Sequence, residues 1–95
     1  MTEHLPAALA RQVGERGEIA IRPAQPADVG AIRRLAQLVD RPVPAAPMLL
    51  GERDGAVVVA LSTLTGDVVS DPFRATGDLV DLLRLRSAQL DGLAA

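Results

Sequence analysis

Few side chains in this chain have the chemistry of a catalytic group. Its 95 residues include no Cys, no Tyr and one His, and all ten basic residues are Arg. Cysteine nucleophiles, disulfides, thiolate metal sites and lysine Schiff bases are therefore excluded. The one histidine, His4, lies in a terminal tail, so we expect no role for it as a general base.

The acidic residues do not form a pattern typical of metal binding or acid–base catalysis. Glu52 falls near a predicted hairpin, where we expect a solvated charge at the end of a strand. Asp67 and Asp71 flank a short predicted strand without a His or a third ligand beside them. The sequence contains no Ser-His-Asp set, P-loop or zinc-ligand spacing. We therefore expect neither a bound metal nor a catalytic centre.

One segment does have a pattern suited to binding an anion. Arg74 stands three residues before Gly77, and Thr76 can cap a helix that starts there. The first turn of a helix has free N–H groups and the positive end of the helix dipole, so it can hold a phosphate. Arg74, Thr76 and Gly77 are therefore the candidate binding residues.

Hydrophobic periodicity predicts a small α+β domain around this segment. We expect a mostly antiparallel sheet of three to four strands with two main helices. Asp54-Gly55 predicts a tight hairpin, because glycine supplies the positive φ that the turn needs. The predicted strands are 19–22, 48–52, 56–62 and 67–69, and the predicted helices lie near 26–40 and 76–92.

The sequence divides into a tail and one domain. Residues 1–17 are expected to form a tail or a short helix, and residues 18–95 the domain. Net charge is −2 with mixed signs, which does not favour binding to nucleic acid. No apolar run approaches the ~20 residues of a membrane span, and no secretory signal is visible, so we expect a cytoplasmic protein.

The order of elements and two short motifs resemble the first half of the GNAT acyltransferase superfamily. The motifs are Ile21-Arg22-Pro23-Ala24 followed by Pro26-Ala27-Asp28, and Leu50-Gly51-Glu52 followed by Asp54-Gly55-Ala56. The resemblance covers about residues 18–90 and implies a GNAT-like half fold. In that family an Arg-x-x-Gly-x-Gly/Ala turn holds the pyrophosphate of acetyl-CoA, so Arg74 and Gly77 match part of the motif.

The chain departs from the family at the residues that matter for the cofactor. Leu79 replaces the last small residue of the turn, and Asp78 adds a carboxylate where phosphates would sit. The sequence has no tyrosine to serve as the family's general acid, and we expect the domain to lack the further strand and helix that the family uses. We therefore expect no bound cofactor.

Our first hypothesis is a non-catalytic GNAT-like domain that acts as an interaction or regulatory module. The last helix is rich in leucine, which predicts either packing across the sheet or a homodimer or protein-partner interface. An acyl-CoA-binding protein or N-acetyltransferase that uses Arg74, Thr76 and Gly77 is the second hypothesis, and one half of a split acyltransferase is the third. The candidate interface residues are Leu82, Leu83, Leu85 and Leu90.

Overall fold

A computed structural model describes residues 18–94, with side chains described to residue 92. It contains a four-stranded antiparallel sheet in the order β1-β2-β3-β4 and two α-helices, which confirms the predicted α+β class. The predicted short helix within residues 1–17, and His4, lie outside the described residues. The elements are β1 (Ile19–Pro23), a 3-10 turn (Pro26–Asp28), α1 (Val29–Leu38), β2 (Met48–Arg53), β3 (Ala56–Ser62), β4 (Val68–Ser70) and α2 (Gly77–Ala94).

The β2–β3 hairpin turns at Asp54 and Gly55, as the sequence predicts. Both residues have positive φ, 54° and 82°, the conformation that a two-residue hairpin requires. Asp54 also anchors the start of β1: its N–H donates to the Glu18 carbonyl, and its Oδ1 accepts from the Glu18 N–H. The turn therefore links three strands at one end of the sheet.

A β-bulge in β3 changes which face of the sheet its apolar residues occupy. Gly51 pairs with Val59 and Glu52 pairs with Val57, so Val58 is the extra residue. The bulge places Val58 and Val59 on the same face, against α2, while Val57 and Ala60 face α1. A simple alternation of inward and outward residues does not apply to this strand.

The sheet carries one helix on each face, with a separate apolar cluster under each. The α1 side holds Ile32, Leu35, Leu50, Ala60 and Val69. The α2 side holds Leu49, Val58, Val59, Leu61, Leu79 and Leu83. The sheet is therefore the central layer of a three-layer core.

Helix α1 is shorter than the predicted 26–40 at both ends. Its entry is a 3-10 turn in which Asp28 and Gln25 form a reciprocal capping box. Its exit follows Val39, because Asp40 adopts a left-handed φ of 54°. The Arg41 N–H then donates to the Ala36 carbonyl at 2.9 Å and the Asp40 N–H to Gln37 at 3.2 Å, a Schellman motif.

The proline-rich segment between α1 and β2 is irregular, as its prolines require. The Pro47 carbonyl accepts both the N–H and the hydroxyl of Thr63, at 2.9 and 3.1 Å, which ties the segment to the turn after β3. Within residues 18–94, neither helix combines the length and the apolar character that crossing a membrane demands.

Candidate functional site

The candidate binding turn lies between β4 and α2. Asp71 organises it: its Oδ1 accepts the Phe73 N–H at 2.8 Å, and its carbonyl accepts the Arg74 N–H at 3.4 Å. The Arg74 guanidinium is partly exposed and lies 4.0 Å from the Asp71 carboxylate. Phe73, the one aromatic residue of the chain, is 82% exposed beside it. The turn therefore presents a cation and an aromatic ring to solvent.

Thr76 and Gly77 open helix α2 at the end of this turn. The Thr76 carbonyl accepts the Val80 N–H at 2.9 Å, and Thr76 itself is buried. A Cβ added to Gly77 would meet nothing within 4 Å, so the first residue of the helix borders open space. The three candidate residues, Arg74, Thr76 and Gly77, thus share one turn at a helix N-terminus.

A carboxylate of the chain itself lies in the first turn of α2. Asp78 Oδ1 accepts a hydrogen bond from the N–H of Leu79 at 2.8 Å. Arg53 Nη2 donates to the two carboxylate oxygens of Asp78 at 3.0 and 3.3 Å. Asp78 is stabilised there by the helix dipole and by the arginine. A phosphate bound at the same N-terminus would meet this negative charge, as the sequence predicts.

Leu79, which stands where the family's turn has a small residue, does not lie on the exposed side of the turn. Its side chain is completely buried and packs against β2 at Gly51. Because it lies in the core, it leaves the exposed side of the turn open. Asp78 is therefore the residue that opposes an anionic ligand here.

A second charged cluster, not foreseen from the sequence, joins β1, the 3-10 turn and β2. Arg22 donates to both Asp28 oxygens, Nη1 to Oδ2 and Nη2 to Oδ1, each at 2.8 Å. Its Nε donates to Glu52 Oε2 at 3.0 Å. Glu52 is therefore not the solvated strand-end charge that we expected, because the cross-strand geometry brings it to Arg22. Arg22 and Asp28 belong to the motif that resembles the GNAT family, but the contact of Arg22 with Glu52 depends on the register between β1 and β2.

These contacts change the titration of the acidic partner. Hydrogen bonds from Arg22, and then from the Gln25 N–H, lower the pKa of Asp28 to about 2. Hydrogen bonds to the carboxylates of Asp28 and Glu52 raise the pKa of Arg22 above its ordinary value. Arg22 and Asp28 therefore stay charged at physiological pH, and the cluster ties the entry of α1 to the sheet.

Two open depressions lie elsewhere on the described surface. One, of about 310 Å³, is bordered by the turn after β3 and by Arg84, Ser87 and Asp91 of α2. Ser62 Oγ there accepts the N–H groups of Leu64 and Thr65, so it caps the turn. The other, of about 230 Å³, lies between the proline-rich segment and β4. Among residues 18–94, no group of three or more His, Cys or acidic side chains could hold a metal.

The four candidate interface leucines of α2 divide into different environments. Leu83 is fully buried against the sheet, whereas Leu82, Leu85 and Leu90 are 39%, 57% and 40% exposed. Leu83 therefore belongs to the core of this fold, and of these four leucines the other three contribute exposed apolar surface.

The geometry of residues 18–94 thus offers two features for function, the turn before α2 and the exposed leucines on α2. The carboxylate of Asp78 lies at the turn, and the leucines are partly exposed to solvent. No protein-family model, curated protein or solved structure matches this chain.

Proposed function

We propose that this chain is a non-catalytic, GNAT-like α+β domain that acts as an interaction or regulatory module and associates with a second copy of itself. The single observation that carries the proposal is the exposure of Leu82 and Leu85 on α2. Exposed leucines on one helix side are typical of an interaction surface when they lie together. Burial of such side chains supplies ~1.5–3 kcal/mol each at full burial, which offsets part of the cost of association.

The sheet edges are less suited than α2 to pairing with another copy. In the described residues β1 is five residues long and ends at Pro23, and β4 is three residues long with Pro72 two positions after it. Short edge strands with proline resist addition of another strand. The helix surface is therefore the favoured interface.

The non-catalytic part of the proposal is supported by the state of the acidic residues. Glu52 is bound to Arg22, and Asp78 is bound to Arg53. A carboxylate already hydrogen-bonded to an arginine offers fewer oxygen lone pairs to a substrate proton, which makes it a poor general base.

Sedimentation velocity across a wide range of protein concentration tests the proposal. We expect the average mass to rise from that of the 9.9 kDa chain towards twice that value. Leu85→Arg should remain monomeric and folded, because this side chain is exposed. Arg84→Glu is the matched control on the same helix and should still associate. A monomer at high micromolar concentration would overturn the self-association.

Acyl-CoA binding is the second candidate function, and one observation favours it. Arg74 is exposed beside the open N-terminus at Gly77, as an anion site requires. With Asp78 in the same turn, we expect acetyl-CoA to produce no thermal shift, whereas a ligand at 100 times its Kd would add about 2.7 kcal/mol. A clear shift that is lost in Arg74→Ala and in Gly77→Val would favour this second function. Enzymatic activity that arises only with another protein would instead favour a split acyltransferase.

A further inference from the structure

Four exposed positions on α2 follow a coiled-coil spacing. Residues 78, 82, 85 and 89 are separated by four, three and four positions and therefore line one side of the helix. All four are exposed. We call Asp78, Leu82, Leu85 and Gln89 the outer strip of α2.

The outer strip points away from the sheet. Leu79 and Leu83 face the sheet, and at 100° per residue the midline of the outer strip lies about 110° around the helix from theirs, with Leu82 only about 60° from Leu79. Leu90 is also exposed, but it shares the side of Leu79 and Leu83. The outer strip is therefore a surface distinct from the core-facing side.

The chemistry of the outer strip suits a helix of the same kind. Leu82 and Leu85 occupy adjacent a and d positions, where leucine packs in two-stranded coiled coils. Gln89 occupies the next a position, where two amides can hydrogen-bond to each other. Asp78 lies at the first end, and Arg53 of the same chain offsets its charge. A second copy of the chain thus offers complementary groups at the levels of Leu82, Leu85 and Gln89, whereas the two Asp78 carboxylates at the first end are each paired with their own Arg53.

Charges that flank the outer strip select the direction of pairing. Asp81 and Arg86 occupy the g and e positions on its two sides, and both are exposed. In a parallel pair, the g residue of one helix faces the e residue five positions later on the other helix. Asp81 of each copy therefore faces Arg86 of the other copy, which gives two ion pairs. In an antiparallel pair, g faces g and e faces e, which brings like charges together on each side.

We infer that two copies of this chain pair through parallel α2 helices, with Leu82 and Leu85 in the seam and two Asp81–Arg86 ion pairs across it. This inference rests on the proposed self-association and adds its surface, direction and register. The seam has few apolar layers, so the dimer is weak and depends on protein concentration.

Charge reversal tests the direction of pairing. Asp81→Arg should raise the dimer Kd by about fivefold or more, because each exposed pair contributes ~0.2–1 kcal/mol and reversal adds repulsion. The double variant Asp81→Arg with Arg86→Asp should return the Kd to within about twofold of the original, since the pairs are restored with opposite sense. Helical circular dichroism and melting of each variant at low concentration check that the fold is retained.

Disulfide trapping tests the register. Because the chain has no Cys, Leu85→Cys introduces a single thiol, and mild oxidation should link two copies in parallel pairing. Ser87→Cys, on the sheet side of the helix, is the control that should not link. A dimer that neither responds to Asp81→Arg nor forms the Leu85→Cys link overturns this inference and leaves the proposed self-association in place. A chain that sediments as a monomer throughout overturns both.

Discussion

Arg22 connects three elements of the described fold through ion pairs. It reaches Asp28 in the 3-10 turn and Glu52 in β2 while itself belonging to β1. Two parallel N–H···O bonds to Asp28 fix the direction of the arginine, which a lysine could not do. The cluster therefore has a structural role in positioning the start of α1.

The lowered pKa of Asp28 leads to a prediction about acid stability. Because its folded pKa is about 2, below its ordinary value, the contribution of Asp28 is fully present above about pH 4 and is lost as pH falls towards 2. We expect the difference in unfolding free energy between the original chain and Asp28→Asn to shrink over that interval. Urea titrations at several pH values measure it. Asp67→Asn, at an exposed turn, is the control, and an equal response in both variants would contradict the prediction.

Asp40, in the Schellman motif at the end of α1, has a backbone conformation that is unfavourable for a residue with a side chain. Its φ of 54° is the left-handed conformation that glycine adopts without steric cost. We expect Asp40→Gly to stabilise the domain by about 0.5–1 kcal/mol, and Asp40→Val to destabilise it. Chemical denaturation of the two variants measures both effects. If both destabilise equally, the side chain of Asp40 matters more than its backbone.

At the scale of elements, the position of α2 depends on a glycine in β2. A Cβ at Gly51 would lie 2.8 and 2.9 Å from Leu79 Cγ and Cδ2, and 3.2 Å from Leu83 Cδ1. These distances are too short for carbon contacts, and both leucines are fully buried. The helix therefore lies close to the sheet because β2 has no side chain at this position.

We predict that Gly51→Ala destabilises the domain by about 1–3 kcal/mol, because the added methyl group overpacks the core under α2. The matched control is Gly30→Ala in α1, where an added Cβ meets nothing within 4 Å. That change should stabilise by about 0.5–1 kcal/mol, since alanine favours a helix over glycine. Thermal unfolding of the two variants should shift in opposite directions. A neutral Gly51→Ala would mean that α2 moves away without cost.

At the scale of the whole molecule, α2 has more apolar surface than the described sheet covers. Leu79 and Leu83 fill the core, while Leu82 and Leu85 lie in solvent. A domain of this size buries a modest share of its surface on folding and is marginally stable alone. Association through the outer strip would add stability that increases with concentration.

This leads to a prediction about thermal stability. We expect the Tm of the original chain to rise with protein concentration, because the proposed dimer would form only from the folded chain. In Leu85→Arg the Tm should be independent of concentration but otherwise close to that of the dilute original chain. Leu83→Arg should fail to fold, since a charge would be placed at a fully buried site. Differential scanning calorimetry at several concentrations measures this, and a constant Tm in the original chain would contradict it.

Much of the fold was predictable from the sequence because the signals are local. The Asp54-Gly55 turn, the apolar strands and the helix starts near Pro26 and Thr76 depend on neighbours in sequence, and the observed elements match them within about four residues. The candidate turn at Arg74, Thr76 and Gly77 was also located correctly between β4 and α2, because it is contiguous in the chain.

Other features were decided by tertiary structure, because they depend on contacts between distant segments. The bulge at Val58 sets which face each β3 side chain occupies. The register between β1 and β2 places Glu52 near Arg22. Because Gly51 has no side chain, Leu79 can pack in the core, away from the exposed side of the turn. The packing of α2 on the sheet separates Leu83 from the exposed Leu82 and Leu85, a division that leucine spacing by itself does not reveal, because both sets follow helical periodicity.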